Sequence, residues 1–556
     1  MERVALLVAS CACCLLAAGA ANHTSQEQSG HDLQSFALIR ERVRDALSTG
    51  GAGKSARSMD EAESSFLSWL HSVRHSPQDG GGPAPASSPA TESTPAAADS
   101  SYDYDQVLRL SLLFYEAQRS GRLPADNRVP WRGDSALEDR GQRGEDLSGG
   151  YYDAGDFVKF SFTMASTTTL LAWGLASYAE AYRAAGQLEE AVGAVRWAAD
   201  YFMRCHVSPD ELYGQVGDFS LDHRFWGRPE ELNMTRPAYK IDREHPGSDL
   251  AGETAAALAA VALVTRDSDA EYSARCLEHA RQLYRFATQH RGLYHEAIKG
   301  AAQYYESTDY GDELCWAAAW LYRVTKEPQF LDEAEHHYSQ FLLRDRPVEF
   351  FYNRKSAGVQ VLLAQLTGVH EYREAARAFC DHSALHQKRT PKGLLYVEKA
   401  GTLCHAANIA FVCLQAADAG INPEVYRDFA RHQIHYMLGD AGRSYVVGFG
   451  SQWPTQPHHA ASSCPDRPAV CDWADFSKKT PNPQVLYGAL VSGPDENDFY
   501  EDVRQEYIYN EVTLDYNAGF QSAVAGLRHL QLQHANASGT TRPEVPGASH
   551  PADPVK

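Results

Sequence analysis

About twelve segments with helical periodicity recur between residues 104 and 532, and strand patterns among them are few and short. In each segment apolar residues return at intervals of three and four, the spacing of one face of an α-helix. Short links join many neighbouring segments, but the connections over residues 121–155 and 439–498 are long. We therefore expect an all-α domain, a toroid of paired helices whose long loops form a cleft at one end. A stacked helical solenoid is the alternative, although the segments have no fixed repeat length.

The start of the chain has the features of a secretory signal peptide. Arg3 precedes an apolar run over residues 4–16, and the small residues Ala18 and Ala20 fit the recognition pattern of signal peptidase. The run is shorter than the roughly 18 residues of a membrane span, which argues against the alternative of an uncleaved anchor helix. We expect residues 1–20 to be removed and the protein to be secreted into the extracellular space.

Composition divides the rest of the chain into four parts. Residues 21–76 contain two short helical patterns, and residues 77–101 are rich in Pro, Ala, Ser and Gly. Such a stretch buries too little apolar surface to offset the entropy of ordering, so we predict a disordered linker. Residues 102–533 hold the helical segments and form the folded domain. Residues 534–556 are again rich in small and polar residues, which predicts a flexible tail.

Acidic residues outnumber basic residues in this chain. The 72 Asp and Glu residues against 51 Lys and Arg give a formal net charge of -21. A surface of that sign repels phosphate backbones and anionic lipid head groups. We therefore expect no nucleic-acid partner and no membrane partner, while neutral sugars and small molecules remain possible ligands. We also expect a monomer.

Secretion permits disulfide bonds, and Cys464 and Cys471 are the best candidates for one. They flank a short loop that contains two prolines, which a bridge could close without straining a helix. The other cysteines of the mature chain lie in helical patterns, where a free buried thiol behaves as a small apolar residue. We predict that role for Cys205, Cys276, Cys315, Cys380 and Cys413.

Two groups of carboxylates are candidates for chemistry. In the glycine-rich stretch 149–156, Asp153 and Asp156 stand three residues apart just before a helical segment. Taken alone, this pair fits a helix cap at least as well as a catalytic site. The second group, in residues 493–518, places Glu511 among other acids and several tyrosines. Glycoside hydrolysis needs an acid that protonates the leaving oxygen and a carboxylate that activates water, and aromatic platforms bind the sugar.

Nine short motifs resemble those of glycoside hydrolase family 9, the endoglucanase family, and the C-terminal motif fits the family signature fully. They follow the family's order along the chain and include Tyr-Asp-Ala-Gly-Asp at residues 152–156. The resemblance implies an (α/α)6 barrel, in agreement with the helical segments. It also implies a secreted, inverting, endo-acting hydrolase of soluble or amorphous β-1,4-glucan. The matching stretches are residues 129–135, 152–156, 212–218, 236–240, 245–249, 311–316, 444–450, 456–459 and 502–518.

The resemblance further implies roles for individual carboxylates. Glu511 matches the general acid, Asp156 the general base, and Asp153 the partner that helps to hold the attacking water. No cofactor is required for such a reaction. Glu511 must be protonated at the working pH, and we expect burial among apolar and aromatic neighbours to raise its pKa. We expect the two aspartates to be more hydrated and to stay ionised.

Other residues match family positions that bind the sugar or shape the site. His458 matches a residue that hydrogen-bonds the sugar beside the scissile bond, and Asp502 matches one that organises the loop of the acid. Sugar rings have apolar faces that stack on aromatic side chains, but any one aromatic residue is as often part of the core. The remaining sugar-binding positions of the family correspond to His223, Trp226, Tyr304 and Tyr516.

Many family members bind a structural calcium ion, and the resemblance implies such a site here. Oxygen ligands suit Ca²⁺. The alternative is that the same residues cap the following helix and complement its dipole. A further family ligand is Asn353 in this chain instead of aspartate. The matching positions are Thr308, Asp309, Asp312 and Glu313.

The chain departs from the family pattern at several positions that we expect near the sugar. Ala460 stands where arginine is common, Ala400 and Cys404 stand where the family has tryptophan and arginine, and Phe157 replaces a common histidine. Lost hydrogen-bond donors would slow cellulose turnover. Two alternatives therefore stay open: a glycan-binding relative with weak or no turnover, and a hydrolase of a different β-glycan. We favour an active hydrolase because all three carboxylates are present.

Overall fold

The computed structural model of the protein describes residues 102–537. The predicted signal peptide, N-terminal extension and linker lie outside the described residues, as does the tail beyond residue 537. Within residues 102–537, twelve long helices correspond one by one to the predicted helical segments. They are α1 (Tyr104–Ala117), α2 (Ser161–Ala184), α3 (Leu188–Cys205), α4 (Ser248–Thr265), α5 (Ala270–Gln289), α6 (Gly311–Thr325), α7 (Pro328–Gln340), α8 (Ser356–Thr367), α9 (His370–Leu385), α10 (Thr402–Asp418), α11 (Pro423–His435) and α12 (Leu514–Ala537).

The even-numbered helices form a closed inner ring. Each packs on the next even-numbered helix, and α12 packs on α2, so the ring closes on itself. The odd-numbered helices lie outside the ring, each against an inner partner. These pairs are α1 on α12, α3 on α2, α5 on α4, α7 on α6, α9 on α8 and α11 on α10. The arrangement is an (α/α)6 barrel, which confirms the predicted fold.

Burial follows from the position of each helix in the two rings. Residues 248–262 of inner helix α4 are all buried, because neighbouring helices cover every face. Outer helix α3 instead buries one stripe at helical spacing, which includes Ala191, Ala194, Ala198 and Phe202. Within the described part of the chain, α4 is the one helix long and apolar enough to cross a membrane. Of that stretch, 89% is buried inside the protein, as befits a helix of the inner ring.

The loops differ in length at the two ends of the barrel. Short links join each inner helix to the outer helix that follows it, so the paired helices run antiparallel and the inner helices run parallel. The connections that lead into the inner helices are long, and all of them reach the N-terminal end of the ring. The long loops gathered at this end can therefore form a cleft. The long connections are residues 118–160, 206–247, 290–310, 341–355, 386–401 and 436–513.

A small antiparallel sheet forms within two of these long connections. Its central strand, β3 (Glu211–Val216), pairs with β1 (Lys159–Phe160), β2 (His206–Ser208) and β4 (Ala238–Ile241). The sheet joins the segment just before α2 to the loop that precedes α4. It thereby links the loop of Asp153 and Asp156 to the loop of Asp222 and His223.

Two disulfide bonds occur in the described residues. Cys464 and Cys471 are bonded as predicted, with a Cα–Cα distance of 5.2 Å. The second bond joins Cys380 of α9 to Cys413 of α10, so the prediction of free thiols is wrong for this pair. The two cysteines are 33 residues apart, and only the packing of the helices brings them together. The other cysteines predicted to be free and buried are so: Cys205, Cys276 and Cys315.

Candidate active site

The three predicted catalytic carboxylates meet where the inner helices begin. Asp153 and Asp156 lie in the loop before α2, and Glu511 lies in the turn before α12. The N–H of Leu514 donates a hydrogen bond of 2.9 Å to the carbonyl oxygen of Asp153. The N–H of Gly155 lies 3.3 Å from Oε1 of Glu511, although 356 residues separate the two in sequence. The closed ring thus brings together, in one acidic site, residues from near the start and near the end of the domain's sequence.

Asp153 is buried beneath the site. Its side chain accepts hydrogen bonds from the hydroxyl of Thr163, at 2.7 Å, and from the hydroxyl of Tyr305. Only 2% of Asp153 is exposed. Burial, with the nearby charge of Asp515, raises the pKa of Asp153 well above its usual range. The expectation of a hydrated, ionised carboxylate is therefore wrong for Asp153. The loop buries this side chain against Tyr305, and no sequence pattern indicated that contact.

Asp156 is the more accessible aspartate, with 17% of its side chain exposed. Its Oδ2 lies 3.3 Å from Nε2 of His223. Its Oδ1 has no hydrogen-bond partner within residues 102–537. Oδ1 is itself a buried atom, so a water molecule that it binds would lie inside the site and not in bulk solvent. Of the two aspartates, Asp156 is therefore the better placed to receive a proton from water.

A third aspartate, Asp222, lies beside Asp156 and was not indicated by the sequence patterns. The ligand atoms of Asp156, Asp222 and His223 all lie within 4.8 Å of one another. Burial and the charge of Asp156 raise the pKa of Asp222 to about 7. Burial acts to lower the pKa of His223, but the hydrogen bond and charge of Asp156 outweigh it and the pKa is raised. The available signal was the position of Asp222 directly before a predicted sugar-binding histidine.

This trio is also the one group of three such side chains, among the residues described, that lies close enough to hold a metal ion. Asp156 is the predicted base, however, and the cluster adjoins Glu511 through the charge interaction of Glu511 with both Asp156 and His223. We therefore interpret the trio as part of the hydrolytic site.

Glu511 shares its surroundings with His458. Nδ1 of His458 lies 2.7 Å from the carbonyl oxygen of Arg504, so Nδ1 must donate the proton of that bond. The other ring nitrogen, Nε2, is 3.9 Å from Oε2 of Glu511. Burial raises the pKa of Glu511, and the charge of Asp156 raises it further, whereas His458 lowers it. The net shift is upward, which confirms the pKa direction predicted for the acid.

Asp502 acts on the loop that carries His458. Its carboxylate accepts hydrogen bonds from the N–H and hydroxyl of Thr455, at 2.7 and 2.8 Å, and from the N–H of Gln456, at 2.9 Å. These bonds hold the chain just before His458, whose own N–H donates to the carbonyl oxygen of Asn510 at 2.8 Å. Asp502 is therefore a positioning residue, since its oxygens are occupied by main-chain and side-chain donors.

One aromatic group surrounds Trp226. The ring of Trp226 packs against Phe476, His458 and Trp473, with centroid distances of 4.7, 5.5 and 5.6 Å. Trp226 itself is 7% exposed, and its Nε1 donates to the hydroxyl of Ser463 at 2.8 Å. The alternative of core packing therefore describes Trp226 better than a sugar platform does. Trp473, which is 43% exposed, is the ring of this group that faces solvent.

A second aromatic group lies beside the aspartates. The ring of Phe219 stands between His223 and Tyr304, at centroid distances of 3.4 and 3.5 Å. Tyr304 is 37% exposed, as a ring that stacks on sugar requires. Tyr516 is partly buried against Gly401, and its charge interaction with Glu511 places it near the acid. His223 and Tyr304 thus lie on either side of Phe219.

The sequence profile described as Glycosyl hydrolase family 9 matches residues 104–524. The chain belongs to glycosyl hydrolase family 9. Endoglucanase B of Cellulomonas fimi is 45% identical over 454 residues, which cover 78% of this chain and 43% of that protein. Endoglucanase 5 of Arabidopsis thaliana is 41% identical over 458 residues, 75% of this chain and 73% of that protein. The chain therefore spans less than half the length of the bacterial relative.

Solved structures of family 9 enzymes share the barrel. The endoglucanase of the termite Nasutitermes takasagoensis is 56% identical, with a TM-score of 0.77 over 77% of this chain and 99% of that one. The cellulase Cel9M of C. cellulolyticum, in complex with cellobiose, is 32% identical, with a TM-score of 0.73 over 78% of this chain and 99% of that one. These relatives confirm the predicted family, its fold and an enzyme of the endoglucanase type.

Most departures from the family 9 pattern lie beneath the cleft. Ala460 is 2% exposed and packs in an apolar cluster with Phe157. Cys404 is fully buried, with its thiol 3.5 Å from the carbonyl oxygen of Asp515. Of the positions in question, Ala400 is exposed, in the turn before α10. The idea of lost sugar contacts therefore applies directly to Ala400, whereas Cys404 and Ala460 alter internal packing.

The family 9 calcium positions divide into two kinds. Asp309 binds the start of α6, as expected of the alternative in which these residues cap the helix. Its Oδ1 accepts hydrogen bonds from the N–H groups of Tyr310 and Gly311, at 2.6 and 2.9 Å. Thr308, like Asp309, is exposed. These two residues are therefore explained without an ion.

Asp312, Glu313 and Asn353 are different, because they hold buried oxygens that lack partners. Oδ1 of Asp312, both carboxylate oxygens of Glu313 and Oδ1 of Asn353 have no hydrogen-bond partner within residues 102–537. Burial and the charge of Asp312 raise the pKa of Glu313 well above its usual range. Unpartnered anionic and amide oxygens are the ligands that Ca²⁺ takes. The residues present therefore fit a structural calcium ion.

We predict that Asp153→Asn stabilises the fold at neutral pH while it impairs hydrolysis. The carboxyl group holds its proton more tightly in the fold than in the unfolded chain, where its pKa is about 3.9. Its favourable contribution to the free energy of unfolding is therefore complete below about pH 4 and is lost as the pH rises toward the folded-state pKa. The stability gained by the variant should grow with pH, by at most about 1.4 kcal/mol per pH unit.

Urea titrations of parent and variant between pH 4 and pH 8 measure this difference. The control is Asp332→Asn, which alters an exposed side chain of α7 and should not reproduce this pH-dependent gain. A free-energy difference for Asp153→Asn that stays constant across the same range would contradict the assignment of a raised pKa.

Proposed function

We propose that this protein is a secreted, inverting endo-β-1,4-glucanase that acts on soluble or amorphous glucan. The observation that carries the proposal is the pairing of two unlike carboxyl groups at one end of the barrel. Burial raises the pKa of Glu511, whereas Asp156 lies 3.3 Å from Nε2 of His223 and keeps its buried Oδ1 free of protein partners. The first is suited to give a proton and the second to take one.

The reaction divides between these two groups. Glu511 donates its proton to the glycosidic oxygen, so that the leaving chain departs as an alcohol. Asp156 accepts a proton from water, whose oxygen attacks the anomeric carbon on the opposite face. An inverting site keeps its two carboxyl groups roughly 6.5 to 9.5 Å apart to make room for that water. Solvent exchange then returns a proton to Glu511 and removes one from Asp156, and no cofactor enters this proton balance.

Neighbouring residues orient the two reacting groups. His223 holds Oδ2 of Asp156, which leaves the buried Oδ1 without a protein partner. His458 is fixed through the carbonyl oxygen of Arg504 and presents Nε2 beside Glu511, where it can accept a hydrogen bond from a sugar hydroxyl. Each proton transfer of this kind contributes about 10² to 10⁴ in rate.

Neutral β-glucan is the substrate class that the cleft and the relatives support. Solved complexes of Cel9M contain cellobiose, and those of CelQ from Clostridium thermocellum contain cellobiose and cellotriose. In this chain, Tyr304 and Trp473 expose flat apolar rings near the carboxylates, on which glucose rings can stack. The net charge of -21 disfavours strongly anionic polysaccharides.

Secretion has two kinds of support. The apolar run over residues 4–16 and the small residues before position 21 fit a cleaved signal peptide. The bonds Cys380–Cys413 and Cys464–Cys471 are of a kind that forms and persists in oxidising compartments. We therefore propose that the mature chain begins at Ala21 and acts outside the cell.

We predict that Glu511→Gln abolishes cleavage of carboxymethylcellulose and cellopentaose while the fold is retained. The amide cannot protonate the leaving oxygen, so kcat should fall by about 10² or more. Reducing-end formation measures the rate. The matched control is Glu506→Gln, five positions earlier on the same turn, whose side chain is exposed and should leave activity near that of the parent.

Other outcomes of this assay select the alternatives. A parent protein that binds cello-oligosaccharides in calorimetry but releases no product would be a glycan-binding relative. Cleavage of mixed-linkage glucan or another β-glycan, with cellulose derivatives untouched, would indicate a different substrate. Equal activity of parent and Glu511→Gln would contradict the assignment of the acid.

We predict that the first product of cellopentaose hydrolysis carries the α configuration at its new reducing end. Direct attack by water activated at Asp156 inverts the β-linked anomeric carbon once. Proton NMR spectra taken within the first turnovers distinguish the α anomer from the equilibrium mixture. An initial β anomer would indicate a covalent intermediate and exclude the inverting mechanism.

We propose that Asp312, Glu313 and Asn353 hold a structural calcium ion. After chelator treatment, added Ca²⁺ should raise the melting temperature, by an amount equivalent to about 2.7 kcal/mol at one hundred times Kd. Glu313→Gln should be more stable than the parent without calcium at neutral pH, because burial disfavours ionisation of the carboxyl group and an amide does not ionise. It should also respond less to the ion. Asp332→Asn, an exposed acid on α7, is the control. A parent protein that does not respond to Ca²⁺ would contradict the site.

A further inference from the structure

An arginine-lined cavity lies at the end of the barrel opposite the catalytic carboxylates. Its volume is about 660 Å³. The C-terminal halves of five inner helices border it, through Ser177 of α2, Arg323 of α6, Gln365 of α8, Gln415 of α10 and His529 of α12. The hydrolytic site uses only the N-terminal ends of these helices. The cavity therefore has no part in the reaction described above.

Positive charge predominates around this cavity. Its lining includes Arg323, Arg373 and Arg427 but a single acid, Asp418. That acid is engaged already: Oδ2 accepts a hydrogen bond of 2.8 Å from Tyr178, and Oδ1 lies 3.3 Å from Nη2 of Arg427. Arg373 donates to main-chain carbonyl oxygens at 2.7 and 3.3 Å. Within residues 102–537, neither Arg323 nor Arg373 forms an ion pair, although the chain as a whole is strongly acidic.

Helix dipoles do not account for all three arginines. Arg323 lies in the last turn of α6, where a cation is favoured. Arg373 and Arg427, in contrast, lie near the N-terminal ends of α9 and α11, where the helix dipole disfavours a cation. Asp418 pairs with Arg427 and the carbonyl oxygens of residues 419 and 420 bind Arg373, so Arg323 is the guanidinium left with an unpartnered Nη1 and no ion pair in the described residues.

Several nitrogen atoms of the cavity lining are buried without an acceptor. They are Nη1 of Arg323, Nε of Arg427, Nε2 of Gln415 and Nδ1 of His529, none of which has a partner in the described structure. The oxygen of the Gln415 amide is already bonded by Ser177 and Gln365, so its nitrogen is the group left over. Burial lowers the pKa of Arg323 to about 10, which still leaves it charged at neutral pH. Buried donors without acceptors are costly, and an oxyanion supplies acceptors in the required number.

We propose that this cavity binds a small oxyanion, either free or as the phosphate, sulfate or carboxylate group of a small molecule. Arg323, Arg373 and Arg427 supply the charge, and Gln415 and His529 supply further donors. The volume falls within the range of small-molecule sites and exceeds the size of a bare ion, so a compact organic acid or phosphate ester also fits. The site is independent of the hydrolytic cleft.

Thermal unfolding and calorimetry of the full chain test the proposal. Inorganic phosphate, sulfate and citrate are titrated at constant ionic strength, with chloride as the reference anion. We expect saturable stabilisation by at least one oxyanion and none by chloride. The anion that stabilises the protein most strongly shows whether the site prefers phosphate or sulfate groups or prefers carboxylates. Arg323→Gln should weaken that binding by about tenfold or more.

Two further variants make the comparison decisive. Arg373→Gln removes a partly exposed guanidinium from the same cavity and should show the same loss, even if Arg323→Gln fails to fold. Arg285→Gln removes an exposed arginine of α5 and should bind as the parent does. The proposal is overturned if the parent shows no saturable response to any oxyanion. It is also overturned if the folded cavity variants respond as strongly as the parent.

Discussion

The packing of α12 against α2, which closes the inner ring, is the contact on which the rest of the structure depends. A Cβ at Gly174 would lie 2.7 Å from the hydroxyl of Ser522, so a glycine is needed for this close approach. The same hydroxyl donates a hydrogen bond of 3.0 Å to the carbonyl oxygen of Leu170, 352 residues away in sequence. Without this contact, Asp156 and Glu511 would belong to opposite ends of an open array and could not share one substrate.

The parallel direction of the inner helices then divides the molecule into two electrostatic ends. The N-terminal ends of the helices carry partial positive charge, which favours the carboxylates gathered there. Burial nevertheless raises the pKa values of Asp153, Asp222 and Glu511, so the cluster retains protons that isolated carboxyl groups would lose. Burying these carboxyl groups together costs stability, and such raised pKa values are typical of catalytic sites. At the opposite end, where partial negative charge accumulates, the arginine-lined cavity has the complementary sign.

Burial decides which departures from the family 9 pattern can affect contacts with the sugar. Ala460 and Cys404, which stand where the resemblance to the family implies arginine, are closed to solvent. Phe157 fills the same apolar cluster as Ala460, and its N–H bonds Asp222 at 3.2 Å. Small and apolar side chains fill this cluster, and Asp153, Asp156 and Glu511 are all present at the site near it. This pattern favours a working enzyme over a relative that has lost its chemistry.

Local sequence determined the twelve helices, the Cys464–Cys471 loop and the family, because periodicity, short turns and motifs are encoded by residues near one another. It also indicated Glu511 and Asp156 through the motifs that hold them. Only the tertiary structure decided that Asp153 is buried, that Asp222 lies beside Asp156, and that Cys380 is bonded to Cys413. Burial, pKa and partners depend on which helices face each other across the ring, and segments hundreds of residues apart leave no local pattern of that contact.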